Sequence, residues 1–124
     1  MAVVGPDADL TERILGCAFR VHAVLGCGFL EKVYENALLH ELRKSGLAAE
    51  SQRPIQVHYD GVLVGDYFAD ILVEGRVILE LKAAKSFEGI HIAQTLNYLK
   101  ASDLRTALLL NFGTRSLEIK RFLL

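Results

Sequence analysis

Hydrophobic residues recur along this chain with two different periods, and the switch between them divides it into segments. In "DADLTERILGCAFRVHAVLG", Ile14, Cys17 or Ala18, Val21 and Leu25 return every three or four residues, the spacing that lines up one face of a helix. Asp9 followed by Glu12 has the spacing of a capping box, and Gly26 and Gly28 end the segment. "FLEKVYENALLHELRKSG" repeats the pattern with Leu30, Tyr34, Leu38 and Leu42, and a basic last turn precedes Gly46. Two helices are expected before any strand.

From residue 49 the period shortens. "AESQRPIQVHYDGVLVGDYFADILVEGRVILELKAA" is rich in β-branched and aromatic residues and is punctuated by Asp60-Gly61 and Glu74-Gly75, which predicts three strands joined by tight turns. "SFEGIHIAQTLNYLKAS" returns to helix, with Ser86 as its cap and Ile92, Leu96 and Leu99 as its apolar stripe. "RTALLLNFG" and "SLEIKRFLL" read as two closing strands. The expected order is ααβββαββ, an α/β (α+β) fold with a mixed sheet of about five strands flanked by helices. With no repeat or linker, residues 1–124 read as one domain.

Within the third strand region, "DILVEGRVILELKAAK" sets charges into an otherwise apolar run. Tyr67, Ala69, Ile71 and Val73 form one apolar face and Val77, Leu79 and Leu81 another, and aligning them pairs Val73 with Val77 across a three-residue loop. That register sets Asp70 opposite Glu80 and Phe68 opposite Lys82. Two facing carboxylates repel and lose hydration, so they call for compensation. A divalent cation of the hard, oxygen-seeking kind, Mg²⁺ or Mn²⁺, supplies it, and Lys82 on the same face is placed to act on water or phosphate. A surface ion pair or triad is the alternative. Glu31 falls within the stripe of Tyr34, Leu38 and Leu42, as Glu41 nearly does, so its carboxylate is expected to point inward, toward a cation or a structural salt bridge. His91, Gln94 and Tyr98 form a line at i, i+3 and i+7 that suits a phosphate or a base, or simply a solvated polar face.

Composition narrows the classes. The residues are 52% hydrophobic and 23% charged, as in an ordinary globular protein, and the formal net charge is -1. That balance excludes nucleic-acid binding by general backbone neutralisation; any such binding is local, with Arg53, Lys85, Lys100, Arg105 and Arg115 as its scattered candidates. Cys17 and Cys27 have no metal-site spacing and read as small semi-buried residues of a reducing cytoplasm; thiol chemistry at Cys27 has no histidine beside it in sequence. No stretch approaches the ~18 apolar residues of a membrane span, and "MAVVGPDADL" lacks the pattern of a leader. The expected location is cytoplasmic.

"LGCGFLEKVYENAL" resembles the signature of the GxxExxY proteins, with Gly28, Glu31 and Tyr34 at its defining positions and Cys27 where that family often has proline. "GDYFADILVEGRVILELKA", "HIAQTLNYL" and "LLLNFGTRSLEIKR" resemble the family's later blocks, so the likeness runs from about Leu10 to Arg121. That family is similar in turn to the PD-(D/E)XK nuclease superfamily, with its restriction-endonuclease-like core. The resemblance implies a Mg²⁺- or Mn²⁺-dependent nuclease acting on nucleic acid, DNA before RNA. It implies Asp70, Glu80, the Leu81 carbonyl and Glu31 as metal ligands and Lys82 as the group acting on water. Gln94 and Tyr98 match a Q-x-x-x-Y element and, with His91, would contact substrate. A homodimer or partner protein is expected to help so small a chain embrace a duplex, the end "KRFLL" offering a strand for it. The alternative of another class is a catalytically silent binding or assembly module with the same fold.

Overall fold

The computed structural model describes Gly5 and residues 7–124; the leader expectation, drawn from residues 1–10, falls partly outside them. The elements follow the expected order: α1 (Ala8–Leu25), α2 (Glu31–Lys44), β1 (Ala49–Tyr59), β2 (Val62–Val73), β3 (Val77–Lys82), α3 (Gly89–Ser102), β4 (Thr106–Asn111) and β5 (Glu118–Leu123). The five strands lie side by side in chain order. All neighbours are antiparallel except β3 and β4, which run parallel with α3 as their crossover. Strand β5 forms one edge and leaves Leu123 and Leu124 exposed.

Alternation along the central strands sends side chains to two cores. Ile71, Val73, Leu79, Leu81, Leu108 and Leu110 pack with Ile14, Val21, Tyr34, Leu38 and Leu42 of α1 and α2. Leu72, Ile78, Ala107 and Leu109 pack on the other side with Leu99 of α3. Each fully buried leucine or isoleucine contributes roughly 1.5–3 kcal/mol over its exposed state, which is why the alternating run fixes the register so firmly. Val73 pairs with Val77 as expected.

Three helix boundaries differ from expectation. Asp9 lies inside the first turn of α1 rather than capping it; Asp7 precedes the helix in a left-handed conformation (φ 60°), and its carboxylate accepts from Thr106 Oγ1 at 3.0 Å and pairs with Arg76 at 3.3 Å. Leu30 sits just outside α2 and is 80% exposed, so the buried stripe of α2 begins at Tyr34 and includes Glu35. Glu88, not Ser86, precedes α3: its backbone N–H donates to His91 Nδ1 at 3.3 Å. At α1 and α3 a tertiary or local hydrogen bond outweighed the capping pattern read from spacing alone.

The turn between α1 and α2 is built around Tyr34. Its ring is fully buried and stacks on Phe112 with centroids 4.9 Å apart. Its hydroxyl donates to the Gly26 carbonyl at 2.6 Å and accepts from Phe29 N–H at 3.1 Å. Gly28, at φ 113°, takes a conformation that side-chain-bearing residues rarely adopt. Together they fix where α2 starts and hence where Glu31, its first residue, projects. Cys17 is buried, whereas Cys27 in this turn is exposed rather than semi-buried.

Candidate active site

The central feature is a fork between β2 and β3. Their ladder runs from Val73–Val77 to Ile71–Leu79 and goes no further. Beyond it β2 stays with β1, so that Phe68 faces Pro54 and is 54% exposed instead of standing opposite Lys82. Meanwhile β3 stays with β4 as far as Lys82–Asn111. The apolar face read across Tyr67, Ala69, Ile71 and Val73 also breaks here: Ile71 and Val73 belong to the core under α1 and α2, and Ala69 to the core under α3.

Where the ladder ends, the Leu81 N–H has lost its cross-strand carbonyl, and the Asp70 side chain replaces it, Oδ2 accepting at 2.8 Å. Glu80 is 6% exposed and its Oε1 is buried without a hydrogen-bond partner. Burial, then the charge of Asp70 and a hydrogen bond with it, push the Glu80 carboxyl up to about 9, opposed by Lys82. Asp70 is also raised, by burial first, with the Leu81 N–H opposing. Both carboxyls are thus pushed toward their protonated forms, Glu80 the more strongly.

Glu31 stands at the rim. The residue is exposed, yet crowding of its carboxyl is the largest cause of its raised pKa, with Lys82 lowering it and Asp70 and Glu35 raising it further. Electrostatics thus link Glu31, Asp70, Glu80 and Lys82, which sequence reasoning grouped. Among the described residues, however, no three His, Cys, Asp or Glu side chains gather tightly enough to hold a metal ion by themselves. What the fold provides is a carboxylate pair with an unsatisfied buried oxygen. That fits a small hard cation, which takes one or two protein carboxylates and fills its shell with water and phosphate.

The substrate-side residues separate. Gln94 and Tyr98 line a cavity of about 600 Å³ between α3 and the β1–β2 hairpin, together with Tyr67 and Lys100. His91 is in the first turn of α3, engaged with Glu88 N–H, and does not line that cavity. Of the remaining basic candidates, Arg53 is paired with Glu50 at 3.1 Å, and Lys85, Arg105 and Arg115 are exposed.

Two polar residues beside the site escaped sequence reasoning. Glu35, 3% exposed, accepts from Lys32 Nζ at 2.7 Å, Ser51 Oγ at 3.1 Å and Gln52 Nε2 at 3.1 Å, and so anchors Gln52 in a left-handed conformation (φ 52°). Its signal was present: Glu31, Glu35, Leu38 and Leu42 share one helical stripe. Asn111, fully buried, accepts from the N–H groups of Ala84 and Gly113 and donates to the Ala84 carbonyl and Glu118. It clamps the chain leaving Lys82 to the end of β4. An asparagine closing the apolar run "TALLLN" was the clue.

Comparison with known proteins agrees with this architecture. The solved structure of a protein named SSO0001 superposes with a TM-score of 0.58 at 16% identity, over 94% of this chain and 59% of that one. The chain thus spans about three fifths of that protein's length, and at this identity the likeness establishes the fold, a restriction-endonuclease-like mixed sheet flanked by helices. A comparison with curated proteins gives no match. No helix among the described residues is long and apolar enough to cross a membrane. The profile of the PD-(D/E)XK nuclease superfamily, by contrast, matches residues 8–122, and the chain belongs to that superfamily.

Proposed function

We propose that this protein hydrolyses phosphodiester bonds in nucleic acid, DNA before RNA, in the cytoplasm, with Mg²⁺ or Mn²⁺ as resident ion and the GxxExxY group as its branch of the superfamily. The observation that carries the reading is the buried, partnerless Glu80 Oε1 beside Asp70, at the point where β2 and β3 part and Lys82 is near. A purely structural acid in such a place would be expected to have its donors; this one lacks them.

Asp70 and Glu80, with the Leu81 carbonyl, would hold the ion. The bound ion supplies the chemistry of drawing charge from a phosphate oxygen and making water easier to deprotonate. Lys82 positions the attacking water and offsets charge growing on the phosphate. Glu31, fixed by the Tyr34 turn, orients water at the rim of the shell. Gln94 and Tyr98 hold the strand being cut. His91, tied to the start of α3, has at most an outer contact.

Titration of Mn²⁺ into the wild type and into an Asp70→Asn, Glu80→Gln double variant tests the assignment, read beside cleavage of linear, nicked and single-stranded DNA. Binding in the wild type alone, with cleavage lost in Lys82→Ala, is the expected result. Equal Mn²⁺ affinity in both proteins removes the proposal, and no cleavage with any divalent ion leaves the binding module as the reading.

A further inference from the structure

The cavity between α3 and the β1–β2 hairpin has a chemistry different from that of the acid pair. Two aromatic rings meet in it: Tyr67 of β2 and Tyr98 of α3, with centroids 5.3 Å apart and planes inclined at 49°. Such an angle makes a corner, in which a flat guest lies on one ring and meets the edge of the other. Around the corner stand three side-chain amides, Gln56, Gln94 and Asn97, each offering both a donor and an acceptor. The ionisable groups lining the cavity are Lys100, Asp103 and the imidazole of His58. A phosphate would call for an excess of cations, whereas a neutral, flat heterocycle with mixed donors and acceptors matches rings plus amides. The volume of about 600 Å³ is within the span of small-ligand clefts, roughly 300–1,000 Å³.

The cavity shares strand β2 with the acid pair. Tyr98 forms part of its wall and is close enough to Glu80 and Asp70 for their charges to act on its hydroxyl. Tyr67 lies three residues from Asp70 on the same strand.

We infer that the Tyr67–Tyr98 cavity binds an unpaired nucleobase next to the scissile phosphate, so that the protein acts on single-stranded or locally opened nucleic acid in preference to intact duplex. A paired base is already stacked and has its edge occupied; it offers this corner nothing. An unpaired base offers a free face to a tyrosine and a free edge to the amides. The location of the phosphate depends on the hydrolytic site proposed above; the binding of the base does not.

The test is binding without divalent ion, using a labelled oligothymidylate of about 12 nucleotides and a hairpin duplex of similar length. With four tyrosines and no tryptophan in the chain, tyrosine emission reports stacking directly. The single strand is expected to bind on the order of tenfold more tightly than the hairpin and to quench that emission. Tyr67→Ala should abolish the preference while Tyr67→Phe keeps it. Tyr67 is about half exposed, so the alanine variant is expected to fold; Asn97→Ala, an exposed change on the same wall, provides a second reading and should weaken the single strand alone several-fold. Equal affinity for the two probes, or a preference that survives Tyr67→Ala, overturns the inference. Cleavage is scored separately with Mg²⁺. A Tyr67-dependent preference without hydrolysis upholds the base pocket and removes the nuclease reading. Equal hydrolysis of both probes, indifferent to Tyr67→Ala, does the reverse.

Discussion

Two glutamates are buried within reach of Asp70, and they are buried on opposite terms. Glu35, on α2, is surrounded by donors from Lys32, Ser51 and Gln52, with both its oxygens engaged. Glu80, on β3, has an oxygen with none, and its nearest strong neighbour is another acid. Burying a carboxylate is expensive, and donors offset that cost at Glu35. At Glu80 the cost is met by keeping a proton, an arrangement that a cation can replace. Burial alone therefore does not distinguish the two acids; the lack of donors at Glu80 does.

Substitutions should separate the two acids most widely in hydrolysis. Glu80→Gln is expected to lose roughly a thousandfold in kcat, the several kcal/mol that ion binding supplies to the transition state. Glu35→Gln, which keeps an acceptor for its donors, should stay within about tenfold. Similar losses in both would erase the distinction.

Stability should invert the order. Glu35→Ala leaves Ser51 and Gln52 without their acceptor, so urea unfolding should show a loss of about 2–3 kcal/mol. Glu80→Gln replaces a carboxyl that is already neutral by a neutral amide, and is expected to be neutral or stabilising near pH 7.

A further separation lies in the pH dependence. With its folded pKa at about 9 against an ordinary 4.5, Glu80 retains a proton that the unfolded chain releases. Its stabilising share is complete below 4.5 and is lost as pH rises through the interval up to 9, at roughly 1 kcal/mol per pH unit. Unfolding measured from about pH 5 to pH 8 should thus show a downward slope in the wild type that is missing in Glu80→Gln. Saturating Mn²⁺ should flatten the wild-type slope, since ion binding favours the folded, deprotonated pair. A slope common to both proteins would place the retained proton elsewhere.

Much of the frame was legible because it obeys regular periods. The order of eight elements, the two glycine turns and the Val73–Val77 register all follow from alternation and turn chemistry, which act locally. The fork was not legible, because the argument from side-chain faces assumes two strands that stay paired. Asp70 taking a backbone N–H and Phe68 turned to solvent both come from that one departure. The acids and Lys82 were singled out because charge interrupts an apolar strand; Glu35 and Asn111 were passed over because their partners arrive from distant parts of the chain.

Gly113 crosses so close to the chain after Lys82 that a side chain there would collide with the backbone of Ala83 and Ala84. Bolted in this way, the lysine's wall has no slack with which to follow a guest. The opposite jaw is the long β1–β2 hairpin, whose tip, with Tyr59 and Val62, stands exposed. Variation in the length and tip composition of that hairpin is then the economical route by which such a scaffold changes what it accepts, while the segment around Gly113 tolerates almost none.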